Sequence, residues 1–202
     1  MKPVVTILSI AAAATFTQPA FATFFNNSAG LNNPDQTVDF ESAVLAVNES
    51  VTNEFAGFGV TFDNAFANPD LSNSYPNING NRIGNFRSNV GQSGLFTVHF
   101  SNVLSEVAFA MVTAPGTSTF RALLNGAEID SVSAPTTFTS TVNFFGFRGI
   151  TFDAITISVV SGDHALLLDS LQTVSAIPEP KMWALLLSGL ILFILGVKQK
   201  RL

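Results

Sequence analysis

The sequence predicts an all-β fold, an antiparallel β-sandwich of jelly-roll type, with an N-terminal signal peptide and one C-terminal transmembrane helix. Three observations predict it. Apolar residues recur with period two in a succession of short runs, the signature of half-buried strands. Clusters of Asn, Gly and Pro separate those runs, as turns require. No stretch between the two chain ends carries a helical period, so eight or nine short strands must form the core among themselves.

At the N-terminus, Lys2 precedes an apolar run over residues 4–14, and Ala20-Phe21-Ala22 supplies the small residues of a cleavage site. This is the pattern of a secretory signal peptide over 1–22, implying the secretory translocon and signal peptidase as partners. At the C-terminus, Pro178 and Pro180 bar a helix from running through them, so one begins near Lys181. Residues 182–197 hold no charge and no amphipathic face, and Lys198, Lys200 and Arg201 follow. Sixteen helical residues cover about 24 Å, a minimal span for roughly 30 Å of hydrocarbon. The cations place the C-terminus in the cytoplasm, with Trp183 at the opposite interface.

Residues 23–176 remain, enough for one domain with a sizeable core. Within them four arginines, no lysine and thirteen carboxylates give a formal charge of −9. Such a surface repels phosphate backbones and anionic headgroups, so the sequence predicts no nucleic-acid partner. The absence of cysteine excludes disulfides and thiol catalysis.

In chain order, residues 23–36 are rich in Asn, Gly and Pro and are expected as a loop. Thr37, Val38, Asp39, Phe40 and Glu41 alternate as a strand, and a second is expected over 59–63. The asparagine-rich stretch 64–94 reads as a long loop with strand character only at 82–87. Two strands then follow, one with Phe96, Val98 and Phe100 inward and one with Val107, Phe109 and Met111 inward. Asn125-Gly126 lies between two alternating runs and predicts a two-residue type I′ hairpin. Starting from Leu124 opposite Ala127, its register pairs Ala122 with Ile129, Phe120 with Ser131 and Arg121 with Asp130. Further strands are expected at 137–145, 151–160 and 165–174.

Little here is arranged for catalysis. His99 sits on the polar side of its strand and His164 in a Gly-Asp-His turn. Ser93, Asp153 and His164 follow hydrolase order, but the strand–turn–helix and second glycine of a nucleophile elbow are missing. Glu106 and Glu128 offer a carboxylate pair whose spacing in sequence fixes no separation. Sugar-binding surfaces present aromatic platforms. Tyr75, between Asn73 and Asn77, is the one tyrosine and the chosen ligand-binding candidate.

The order Pro178-Glu179-Pro180, short apolar span, basic end over residues 177–202 resembles the PEP-CTERM sorting signal of Gram-negative bacteria and cyanobacteria. The resemblance implies that Pro178, Glu179 and Pro180 are recognised by exosortase, a membrane transpeptidase-like enzyme that removes the tail. It implies an inner-membrane-anchored precursor, then a cell-surface or extracellular protein in an exopolysaccharide context, with a structural or adhesive role and no catalysis. The stretch 144–157, with Leu168, Asp169, Ser170 and Leu171, resembles domains of PEP-CTERM proteins and carbohydrate-binding jelly rolls. That second resemblance implies adjacent first and last strands sharing a structural calcium, which would bring Glu41 beside Asp169. The alternatives to the structural role are a calcium-dependent carbohydrate-binding module and, third, a glycan-active hydrolase.

Overall fold

The computed structural model of the chain describes residues 23–68, 74–87, 95–160 and 164–176. The signal peptide expected over 1–22, the sorting signal Pro178, Glu179 and Pro180, and the span expected over 182–197 lie outside the described residues. Among the described residues no helix is long and apolar enough to cross a membrane, and a 3₁₀ turn at Ala56–Phe58 is the sole helical element.

The rest is strand and loop: β1 (Thr23–Asn27), β2 (Gln36–Val38), β3 (Ser50–Val51), β4 (Val60–Asp63), β5 (Ala65–Ala67), β6 (Ile83–Gly84), β7 (Leu95–Thr113), β8 (Gly116–Leu124), β9 (Ala127–Thr136), β10 (Phe144–Val159) and β11 (Leu166–Ser175). Every pairing is antiparallel, and the path runs β3-β5-β6-β11-β7-β10-β8-β9, with β1 on β10, β2 on β11 and β4 on β7.

Two long strands shape the sheet. The first part of β10 (144–148) lies between β1 and β7, and its last part (154–159) pairs with β8. Phe145 belongs to the first part, and Phe120 of β8 pairs with Ile157 in the last. Twelve extended residues span about 40 Å, yet the Phe120 and Phe145 rings stack with centroids 4.9 Å apart. The strand therefore doubles over, and its register breaks between Arg148 and Ala154 mark the bend. The two halves of the sheet face each other across a phenylalanine-rich core in which Phe40, Phe55, Phe96, Phe109, Phe120, Phe147 and Phe152 are fully buried.

β7 is apolar on both faces. Val107, Phe109 and Met111 enter the main core, whereas Ala108, Ala110 and Val112 join Phe144, Leu167 and Ile78 in a second cluster on the outer face. Leu31 and Tyr75, from segments that the sequence marks as loops, and Phe86 and Phe138, from segments in which it predicts strand, cover that face.

Several expectations are corrected. The start of the domain is not a loop: Thr23–Asn27 pairs along β10, with Phe25 lying over Gly146. The strand expected over 37–41 ends at Val38, because Phe40 turns into the left-handed region at φ 62° while keeping its ring in the core. The pair of strands expected from Leu95 to Met111 is one, and residues 137–143 precede β10 without joining it. The hairpin turn is as predicted, with Asn125 at φ 52° and Gly126 at φ 78°. Its register is not: a bulge after Glu128 shifts every later pair, so Ala122 meets Asp130, Arg121 meets Ser131 and Phe120 meets Val132. The arginine accordingly pairs with Glu128, at 3.2 Å, in place of Asp130.

Candidate functional site

Residues 74–87 lie over the second apolar cluster and bring together three of the residues singled out from the sequence. Tyr75 and Ile78 form an isolated bridge around a tight turn, with Asn77 at φ 57°. Asparagine tolerates that conformation and supplies its own caps. The Asn77 amide donates to Asn143 Oδ1 at 2.6 Å, and Asn143 donates to the Pro76 carbonyl at 2.6 Å. At the far end, buried Asn85 donates to the His164 carbonyl and accepts from the Leu166 N–H. The asparagine-rich loop is thus a hydrogen-bonded cover, with Asn77 spent on the Asn143 side chain and Asn85 on backbone groups.

On one flank of the cover lies a pocket of about 230 Å³, lined by Tyr75, Phe86, Val112, Phe138 and residues 165–167. Tyr75 is half-buried, stacks on Phe138 at 5.6 Å and carries the Arg82 guanidinium 5.6 Å from its ring centroid. The ring works as a pocket wall already engaged by two neighbours, which differs from the open platform a polysaccharide surface offers. Phe86, Phe138 and Asn143 were not legible as site residues. The available signal was Phe138, a single aromatic within the polar run 136–141.

On the other flank sit Glu41 and Asp169. β2 lies beside β11, and a bulge at Ser170, φ 50°, turns Asp169 inward to 2% exposure. Asp169 Oδ2 accepts the Asn79 N–H at 2.8 Å and Oδ1 accepts the Ser170 N–H at 2.5 Å; Glu41 Oε1 accepts the Asn81 N–H at 2.6 Å. Two carboxylates therefore hold one loop by alternate amides. Burial pushes the Asp169 carboxyl up to about 6, with the charges of Glu41 and Asp39 adding to the rise and the two N–H bonds opposing it. Gly80, between the clamped amides, has φ 57° and faces Glu41 with no room for a Cβ. The loop offers amide donors here, and among the described residues no three His, Cys, Asp or Glu side chains are grouped to hold a metal ion.

The catalytic candidates are scattered. His99 is exposed and bonded to Asp63 at 2.8 Å, and His164 Nδ1 lies 2.7 Å from the Val159 carbonyl. Both oxygens of Asp153 accept the Asn125 N–H, and Glu128 is held by Arg121. Ser93 lies outside the described residues.

No protein-family model matches the chain, and no curated protein matches it. Among solved structures, the enzymatically active domain of tailspike protein 4 from bacteriophage CBA120 is similar at 14% identity and a TM-score of 0.38. The likeness covers 64% of this chain and 22% of that one, and is too slight to carry any inference about function.

Proposed function

We propose that this chain is an exported surface or matrix protein whose β domain, a sandwich of jelly-roll type, has a structural or adhesive role, and whose residues 177–202 are a removable exosortase address. One observation carries this proposal: Pro178-Glu179-Pro180, an uncharged run over 182–197 and a basic end occur in that order. The structure is compatible with it, since β11 closes the described domain at Ser175, directly ahead of that motif. In this account the precursor is held in the inner membrane, exosortase is the processing partner, and exopolysaccharide is the surrounding material. Mass spectrometry of the protein from cells with and without exosortase tests it. Loss of the tail only where the enzyme is present is expected; an intact Leu202 in enzyme-bearing cells would defeat it.

A second reading, a calcium-dependent carbohydrate-binding module, draws support from the Tyr75 pocket and from the approach of Glu41 to Asp169. Calcium takes several oxygen ligands, and this pair supplies carboxylates only if it gives up amide bonds. Glycan-array binding that disappears in Tyr75→Ala would favour the module, as would a melting temperature raised by millimolar calcium over chelator.

A further inference from the structure

β9 ends the strand path, and among the described residues β8 is its one strand neighbour. Its other edge is where a strand of a second copy could join the sheet, since an open row of N–H and C=O groups is a template for extended chain. Which groups point to that edge follows from the ladder on the far side of β8. Val160 donates its N–H to the Thr117 carbonyl at 2.9 Å, so Thr117 turns its backbone groups toward β10. In an antiparallel ladder the N–H and C=O of one residue lie on the same side, and successive residues alternate. Thr117, Thr119 and Arg121 therefore face β10. Their partners Pro135, Ser133 and Ser131 form the non-hydrogen-bonded pairs with β8 and turn their own backbone groups outward. The 2.9 Å contact of Thr119 Oγ1 with Ser133 Oγ is the close side-chain approach of such a pair. Register is unbroken from Asp130 to Thr136, so the alternation holds along that stretch.

Two of these three outward positions are closed. Pro135 has no N–H to give. The Ser131 N–H is already donated to Asp130 Oδ1, at 2.8 Å. A two-fold pairing of β9 with β9 of a second copy about Ser133 would set Ser133 opposite itself and, on either side, Ser131 opposite Pro135. Each such pair in an open ladder exchanges two N–H···O bonds. Here both flanking pairs are spoiled, because the proline donates nothing and the serine must first leave its carboxylate. The Ser133 pair alone stays whole. Ser131, Val132, Ser133 and Ala134 carry no charge to repel a partner strand, so the closure falls to the residues that bracket them. We propose that Asp130 and Pro135 close the β9 edge against a second copy of this chain, and that copies lacking them join edge to edge through residues 131–135. This closure follows from the fold alone and does not depend on the exosortase proposal.

The chain has no cysteine, so one introduced thiol reports the contact in the full-length protein in detergent micelles. Strands paired about Ser133 would bring the two Cα atoms of Ser133→Cys to about 5.5 Å, within disulfide reach. Under an added thiol oxidant, Ser133→Cys combined with Asp130→Ala and Pro135→Thr should cross-link to a dimer at least about tenfold faster than Ser133→Cys alone. Adding Ser131→Pro should return the slow rate, because it removes the donor that Asp130 had engaged. Val44→Cys, at a fully exposed position, should cross-link equally in both backgrounds and sets the rate of chance encounter. A rate at Ser133→Cys that the double change leaves unaltered would overturn the proposal, since Asp130 and Pro135 would then not be what closes the edge. So would an acceleration that Ser131→Pro fails to reverse or that Val44→Cys shares, the mark of unfolding in place of strand pairing.

Discussion

Asp169 is held in a place that penalises its charge. Its folded value of about 6 lies above the ordinary 3.8, so the native state binds more protons than the unfolded chain between those limits. Stability contributed by this group is therefore highest below about pH 4, falls as pH rises toward 6, and is flat above. Two pH units correspond to about 2–3 kcal/mol. Urea unfolding of the wild type and Asp169→Asn should show the wild type gaining roughly that much on the variant between pH 7 and pH 4.5; parallel pH curves would show that the carboxyl is not desolvated as described. Calcium bound at Glu41 and Asp169 would favour the ionised form and flatten the wild-type curve. Gly80 belongs to the same clamp. Gly80→Ala meets both a positive φ and the Glu41 carboxylate, and an expected loss of about 1–3 kcal/mol should be partly recovered in Gly80→Ala with Glu41→Ala.

Among the elements, the β8–β9 hairpin shows how turn chemistry and register separate. Asn125-Gly126 sets the turn, since both residues must take positive φ, and that was readable from two letters. The bulge after Glu128 was not. It leaves Ile129 exposed and brings Glu128 to Arg121, an outcome that alternation alone cannot distinguish from the unbulged ladder. A double-mutant cycle of Arg121→Ala with Glu128→Ala should give a coupling of about 0.2–1 kcal/mol that salt reduces, and the cycle with Asp130→Ala should give none. Coupling to Asp130 would mean that the bulge is absent in solution. The cover of residues 74–87 makes the same point: its asparagines announced turns, but which backbone groups they cap depends on partners some 65 to 80 residues away.

For the whole molecule, Phe120 is the residue that joins the two halves of the folded sheet, touching Phe24, Phe109 and Phe145. Phe120→Ala should cost about 3–5 kcal/mol in urea unfolding, whereas Phe58→Ala, at a 40% exposed site, should cost under about 1 kcal/mol. Equal costs would mean that the two halves do not pack as described. The sequence by itself determined the all-β class, most inward-facing phenylalanines and the hairpin turn. Each of these is encoded within a few neighbouring residues, as a period of two or a demand for positive φ. Only the tertiary structure decided that β10 doubles back, that β7 is buried on both faces, that Glu41 and Asp169 clamp one loop and that Tyr75 is a pocket wall. Those outcomes join residues far apart in the chain, and alternation specifies which side of a strand is apolar without specifying what will cover it.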